Sequence, residues 1–212
     1  MDRKLHSTLK NLDKCYFIQV GANDGCTNDP LHSLIQTHKG WSGVFVEPVK
    51  CYYDRLVESY GNDPRFIIEK VAIGDKDGKG TMYYLPSAVV DTYPDLWWAY
   101  GAASLNRQHL LSTCGERIAA HIQEEEVEII AFETLCKRNH ISHVDLILID
   151  TEGHDYRILQ QIDVRKYEPI VIAYEHKHLA EDERRAAHEI LLRAGYKLSK
   201  YGDDVLAVKK WR

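Results

Sequence analysis

The sequence lacks the marks of several protein classes. Its five cysteines are scattered and never in C-x-x-C spacing, which argues against a disulfide framework and a zinc cage. No apolar run approaches membrane-spanning length, and the polar start 1–6 lacks the apolar core of a signal peptide. We therefore expect a cytoplasmic location without membrane insertion. A net charge of −5 offers no excess of Lys and Arg for a nucleic-acid partner.

Two nucleotide-binding fingerprints are also missing. The chain has neither the G-x-G-x-x-G of dinucleotide sites nor a G-x-x-x-x-G-K-[ST] phosphate loop. What the sequence does contain, 44% apolar and 28% charged residues over 212 positions, is typical of one globular domain, 1–212. No repeats or linkers divide it.

Apolar runs alternate with helical segments along the chain, which predicts an α/β fold with a mostly parallel sheet. Residues 1–14 are predicted as a short helix or arm, and 196–200 with 205–209 as a C-terminal antiparallel hairpin. The other predicted strands are 17–20, 41–46, 66–73, 81–85, 127–131, 145–149 and 170–174. The other predicted helices are 30–38, 48–60, 104–123, 133–140, 154–162 and 181–194.

The stretch Phe17–Gly25 is the centre of the functional argument. A buried strand there breaks into a turn with two glycines, which allow bare backbone to approach a ligand. A second apolar strand, 41–46, ends in Glu47, where doubly wound sheets hold ribose hydroxyls. Together they predict an adenosine-type cofactor. The candidate cofactor-binding residues are Gly21, Ala22, Asn23, Asp24, Gly25, Glu47, Pro48, Ala72 and Asp150.

An ordered series of motifs resembles the FkbM-type S-adenosylmethionine-dependent methyltransferases. These motifs are 17–25, 46–48, 71–74, 103–105, 145–153 and 169–175. The resemblance implies a Rossmann-like class I methyltransferase domain, with S-adenosyl-L-methionine as cofactor. Gln19 and Leu148 depart from the family pattern, which usually has an acid and a lysine there, and Asp155 is a shorter acid than usual.

Several predicted strand ends carry acids or histidines that suit methyl transfer to oxygen. Such transfer needs the acceptor hydroxyl oriented and its proton removed. The candidate catalytic residues are Glu152, Asp150, Glu175, His176 and His109. Each has a structural alternative: acids in such positions also cap the following helix, and a lone histidine is commonly a surface residue.

No metal site is assigned. Mg²⁺ held by Asp150 and Glu175 is an alternative, since carboxylate oxygens are its usual ligands. His176 and His178 could also ligate a metal, but alternate residues share a face only if the strand continues.

The aromatic segment 86–103 has no helical or strand periodicity. Such a segment has three interpretations: a lid that covers the substrate, ordinary surface packing, or a homodimer contact. The resemblance to the FkbM type implies an O-methyltransferase that acts on a hydroxyl of a small molecule, a sugar or a secondary metabolite. The alternatives are a nicotinamide-dependent oxidoreductase, and a non-catalytic nucleotide-binding protein on the same fold.

Overall fold

Two sheets organise the chain in the computed structural model, which describes residues 2–210. The strands among these residues are β1 Cys15–Val20, β2 Trp41–Val46, β3 Phe66–Glu69, β4 Ala72–Ile73, β5 Gly78–Tyr84, β6 Ala103–Ser104, β7 Gln123–Ile130, β8 Leu146–Ile149, β9 Val171–Glu175, β10 Tyr196–Tyr201 and β11 Asp204–Lys209. The larger sheet has the order β10-β11-β9-β8-β1-β2-β3. Only β11 runs antiparallel to its neighbours there, so the predicted mostly parallel sheet with a C-terminal hairpin is confirmed.

Helices cover both faces of the larger sheet. They are α1 Asp2–Leu9, α2 His32–Thr37, α3 Lys50–Tyr60, α4 Ala88–Thr92, α5 Arg107–Cys114, α6 Phe132–Arg138, α7 Asp155–Gln161 and α8 Glu181–Arg193, with 3-10 helices at Pro94–Ala99 and Glu116–Ile118. Within 2–210, none of them is long and apolar enough to cross a membrane.

The alternation of side chains along β1 explains the two layers of helices. Phe17 packs in a buried cluster with residues of α1, α2 and α3, whereas Ile18 packs in another with residues of α6, α7 and α8. Successive strand residues point to opposite faces of a sheet. A strand covered on both faces must be apolar throughout, and β8, Leu-Ile-Leu-Ile, is.

The smaller sheet, β4-β7-β5-β6, is a feature that the sequence did not predict. The predicted strand 66–73 is divided, because Ile68 pairs with β2 while Ala72 pairs with Ile129 of β7. This sheet packs its own apolar cluster against α3 through Val49 and Tyr52.

Two further predictions differ from the structure in extent. The predicted helix 104–123 is shorter, because Gly115 ends α5 with a φ of +88° and β7 already begins at Gln123. The segment 86–103 is not irregular, since it contains α4, a 3-10 helix and the start of β6. Its Val89, Leu96 and Ala99 are buried in a cluster with α5, so tertiary packing orders a segment that lacks periodicity.

Candidate active site

The strand order of the larger sheet reverses between β1 and β8. In open α/β sheets, ligands bind beyond the carboxyl ends of the strands at such a point. A cavity of about 220 Å³ lies there. Its wall consists of Gln19, Val20, Gly21, Ala22, Asn23, Thr27, Asn28, Asp29, Pro30, Glu47, Pro48, Val71, Ala72, Ile73, Met82, Tyr100, Gly101, Ala103, Ser104, Leu105, Asp150, Thr151, Glu152 and His154.

Gly21 has a φ of +81° at the end of β1. A Cβ there would lie 1.7 Å from the carbonyl oxygen of Asp150, so the glycine lets the loops after β1 and β8 meet backbone to backbone. The prediction expected this space to serve a cofactor. Gly21 does line the cavity, but the protein's own backbone is what excludes a side chain.

Glu47 lines the cavity and is held by two backbone N–H groups. Its Oε2 accepts a hydrogen bond from the backbone N of Asn23 at 2.9 Å, and its Oε1 accepts one from the backbone N of Val49 at 2.9 Å. The residue is 5% exposed, and this burial raises its pKa to about 7 despite both bonds. The carboxylate is thereby aimed at the cavity by two rigid donors and keeps lone pairs for a ligand.

Two of the predicted cofactor-binding residues, Asp24 and Gly25, make contacts within the protein rather than with the cavity. Asp24 accepts bonds from the backbone N of Cys26 (2.9 Å) and Thr27 (2.7 Å), and it lies outside the residues that line the cavity. Gly25 also lies outside them, and a Cβ on it would come within 2.6 Å of the side chains of Leu56 and Tyr60. Both residues therefore shape the loop that Ala22 and Asn23 present to the cavity.

Asp29 caps the helix that follows this loop, as its position before Pro30 suggests. Its Oδ1 accepts from the backbone N of Leu31 and His32, while its Oδ2 accepts from Gln19 Nε2 at 2.6 Å. Burial raises the pKa of Asp29 to about 6 against these bonds. Gln19 departs from the family pattern, which usually has an acid at this position. The glutamine donates a hydrogen bond to Asp29, whereas an ionised acid would repel it.

The loop after β8 is tied to β9 by a buried carboxylate. Asp155 is fully buried and accepts from Thr151 Oγ1 at 2.9 Å and from the backbone N of Glu175 at 3.2 Å. Its burial raises its pKa to about 7. Asp150 lines the cavity at the start of this loop. Desolvation by the surrounding protein, followed by the charges of Asp155 and Glu152, raises its pKa, although the residue itself is exposed.

Glu152 lies between two histidines from distant segments. Its Oε2 is 3.2 Å from Nε2 of His178, in the turn after β9, and 3.9 Å from Nε2 of His109, on α5. The two imidazole rings form an edge-to-face pair with centroids 4.7 Å apart. Burial opposes a charge on Glu152, yet the two imidazoles hold its pKa at about 2. Glu152 also has a φ of +52°, an uncommon conformation for a non-glycine residue that is found at functional sites.

The remaining predicted residues divide between the cavity and its surroundings. Pro48 and Ala72 line it. Glu175 Oε2 lies 3.6 Å from His178 Nε2, and burial followed by the nearby acids raises its pKa to about 9. His176 instead contacts the β10–β11 turn, with Nε2 3.3 Å from the carbonyl oxygen of Gly202, and it is not among the residues that line the cavity.

The end of the segment 86–103 closes one side of the cavity through Tyr100 and Gly101. Tyr100 donates from its hydroxyl to Asp24 Oδ2 at 3.1 Å and receives a hydrogen bond from Arg55 of α3. Arg55 also donates to Ser87 Oγ at 2.9 Å. These hydrogen bonds connect the segment 86–103 to the loop after β1, through Asp24, and to α3, through Arg55.

A family model described as the methyltransferase FkbM domain matches residues 19–198. The chain belongs to the FkbM methyltransferase family. That match covers the cavity wall from Gln19 to His154 and includes His109, Glu175 and His178. The suspected family is therefore confirmed, and with it a methyltransferase that uses S-adenosylmethionine.

Several solved methyltransferase and related structures are similar to this chain, and one of them supports the fold assignment. A precorrin-6y C5,15-methyltransferase from Geobacter metallireducens GS-15 superposes with a TM-score of 0.50 at 11% identity, over 100% of this chain and 87% of that one. An O-methyltransferase from Thermotoga maritima matches with a TM-score of 0.47 at 7% identity, over 100% and 65%. A fibrillarin from Methanococcus jannaschii matches with 0.47 at 13% identity, over 94% and 67%. No curated protein is similar enough to count as a match.

Residues on the cavity wall of this FkbM-family chain are of a kind that suits S-adenosylmethionine. Glu47 is a buried acceptor at the end of the second strand, the position that holds ribose hydroxyls in doubly wound sheets. Gln19 Oε1 and Asn23 Oδ1 are buried on the same wall and accept no hydrogen bond from residues 2–210. Acceptors that are paired by no protein donor suit the hydroxyl and ammonium groups of the cofactor.

Sequence reasoning missed three residues of the site. His154 lines the cavity, and its buried Nε2 has no hydrogen-bond partner among the described residues. Burial lowers its pKa, so the imidazole is neutral near pH 7. His178 was considered only with His176, and Tyr100 only as part of a lid. The position of His154 directly after the Glu-Gly pair was the available signal, whereas nothing local indicated that His178 meets His109.

Proposed function

We propose that this FkbM-family enzyme transfers a methyl group from S-adenosylmethionine to a hydroxyl oxygen of a small acceptor, a sugar or a secondary metabolite. One observation carries the proposal: Glu152, flanked by two imidazoles, belongs to the wall of the same cavity as Glu47. A hydroxyl must lose its proton as the new bond forms, so an O-methyltransferase benefits from such a group beside the cofactor.

The two sides of the cavity have different tasks in this proposal. Glu47 would accept hydrogen bonds from the ribose hydroxyls, with the backbone of Gly21 and Ala22 beside it. The bound cofactor supplies an electrophilic methyl group. Asp150 and Glu152 belong to the loop after β8 on the wall of the same cavity, and the acceptor hydroxyl would be held at Glu152 in line with that methyl group.

In this proposal Glu152 orients the acceptor hydroxyl, and the imidazoles beside it are placed to take the proton, because a carboxylate with so low a pKa is a weak base. This carboxylate stays ionised because its pKa is about 2, so it orients the hydroxyl and stabilises positive charge on the adjacent imidazoles of His109 and His178. Glu175, whose pKa is raised to about 9, is protonated near neutral pH and serves as a hydrogen-bond donor rather than a base.

Cofactor choice is the first part of the test. S-adenosylhomocysteine should raise the melting temperature of the full chain, because it binds only the folded state. NAD and NADP should leave it unchanged. A larger rise with NAD would contradict the methyltransferase assignment and favour the oxidoreductase alternative.

Glu152→Gln is the second part. The amide keeps the shape and removes the charge, so formation of S-adenosylhomocysteine with an acceptor found by screening sugars and hydroxylated metabolites should fall by ~10²–10⁴-fold. The melting shift with S-adenosylhomocysteine should remain. Glu126→Gln is the matched control, since Glu126 is an exposed acid paired with Lys79 on the smaller sheet. Near-normal turnover by Glu152→Gln would exclude this residue, and His154 would be tested next.

A further inference from the structure

Three ligand-bearing side chains converge from separate parts of the chain. His109 comes from α5, Glu152 from the loop after β8 and His178 from the turn after β9. One ligand atom of each lies within 4.8 Å of the others. We refer to these three residues as the His2Glu cluster. Two imidazoles and one carboxylate are the ligand set of many catalytic zinc sites and of non-haem iron sites.

The distances within the His2Glu cluster suit a single ion. Ligand atoms about 2.1 Å from a tetrahedral metal are roughly 3.4 Å from one another. Glu152 Oε2 is 3.2 Å from His178 Nε2 and 3.9 Å from His109 Nε2. A small movement of the His109 ring would bring all three atoms onto one ion.

Unpaired polar atoms provide independent support. Nε2 of His109 is buried and has no hydrogen-bond partner within residues 2–210, and the same is true of Oε2 of Glu175. Buried polar atoms are normally paired, so each unpaired one calls for an explanation. Glu175 Oε2 lies 3.6 Å from His178 Nε2, close enough to contact a ligand on the ion.

The local backbone leaves room for both rings. Gly153 has a φ of +97°, and a Cβ there would lie 3.3 Å from Cε1 of His109 and 3.5 Å from Cβ of His178. Any larger residue would press on the imidazoles.

We propose that His109, Glu152 and His178 bind one divalent transition-metal ion of the zinc type at the acceptor end of the cavity. Mg²⁺ is not the expected ion, because it prefers an octahedral set of oxygen ligands. The catalytic consequence rests on the proposed function: a metal at this position would lower the pKa of a bound hydroxyl and so promote loss of its proton. Binding itself does not depend on that function.

Metal titration of the full chain tests the site directly. Chelator-treated and dialysed protein is titrated with Co²⁺, followed by its visible absorption, and with Zn²⁺ by calorimetry. We expect one ion per chain, displacement of Co²⁺ by Zn²⁺, and no displacement by millimolar Mg²⁺. His109→Gln and His178→Gln should each weaken binding by about 100-fold or more.

His143→Gln is the matched control, because His143 also pairs with an acid, 2.9 Å from Asp145, but has no second imidazole in that pair. It should leave the titration unchanged. The melting temperature of the metal-free protein serves as the folding check for every variant. Sub-stoichiometric binding, or binding that survives both His109→Gln and His178→Gln, would overturn the metal site.

The titration and the melting shift with S-adenosylhomocysteine together separate this inference from the proposed function. A normal shift with S-adenosylhomocysteine and no bound Co²⁺ would remove the metal and leave methyl transfer intact. Bound Co²⁺ lost in His109→Gln, with no cofactor shift in the wild type, would support the metal site and contradict the proposed function.

Discussion

The two sides of the cavity are built in different ways. The cofactor side, formed by 21–29 and Glu47, pairs its acids with backbone N–H groups of neighbouring loops. The acceptor side, formed by 150–155, 175–178 and His109, joins side chains to side chains around Glu152, although Asp155 there accepts from a backbone N–H group. Buried atoms without hydrogen-bond partners in the described structure occur on both sides, on Asn23 of the cofactor side and on His109, His154 and Glu175 of the acceptor side.

This difference indicates what each side can tolerate. Backbone donors hold an acid in one orientation without help from other side chains, so the cofactor side is rigid before a ligand arrives. On the acceptor side, the side chains come from three separate segments and can change position more easily when a ligand binds. We therefore expect changes on the cofactor side to affect folding and binding together, and changes on the acceptor side to affect ligands first.

Gly21→Val is expected to have the largest effect on stability, and it tests whether the cofactor side is rigid. Valine would need a φ near +81° and would place its Cβ 1.7 Å from the Asp150 carbonyl oxygen. We expect a loss of unfolding free energy of at least about 3 kcal/mol, or no folded protein, measured by urea unfolding.

Gly78→Val is the control for that change, because no atom lies within 4 Å of the position of its Cβ. It should cost less than about 1 kcal/mol. A Gly21→Val protein of wild-type stability would show that the loops after β1 and β8 can separate, and that the cofactor side is not rigid.

A smaller effect should appear in the pH dependence of stability. The pKa of Glu47 is about 7 in the folded protein against 4.5 as its ordinary value, so the folded state holds the proton more tightly. The stabilisation this provides is complete below about pH 4.5 and lost as pH rises through about 7, a change of about 3 kcal/mol.

Glu47→Gln should lack that component. Its unfolding free energy, relative to the wild type, should therefore rise between pH 5 and pH 8, whatever its stability at pH 5. Glu126→Gln, an exposed change, should run parallel to the wild type. Parallel curves for Glu47→Gln would mean that Glu47 titrates as it does in the unfolded chain, in contact with water.

The smallest effect sharpens the link between the aromatic segment and the cofactor side. Tyr100→Phe removes a hydroxyl that bonds Asp24 and Arg55. We expect about 3–10-fold weaker binding of S-adenosylhomocysteine, measured by calorimetry, since one such bond contributes about 1 kcal/mol. Tyr84→Phe, which loses a surface bond to Gln123, should bind normally. Equal affinity for both variants would show that Tyr100 closes the cavity without organising its loop.

Local patterns in the sequence predicted the features that local chemistry controls. The apolar run of β8, the glycine after β1 and the turn at Gly202 each have a preferred backbone conformation that neighbouring residues suffice to indicate. The position of Glu47 at the cavity was predicted because the end of the second strand of such a sheet lies at the ligand-binding edge. The family motifs added the order of these elements.

The tertiary structure decided everything that depends on distant partners. Ala72 pairs with β7 of the smaller sheet, more than fifty residues later in the chain, rather than with the larger sheet. Burial against α5 orders the segment 86–103. His109 and His178 have no periodicity or spacing that relates them. They meet at Glu152 because α5, β8 and β9 bring their ends to one edge of the fold, and side-chain proximity of that kind is a property of the packed chain rather than of its local sequence.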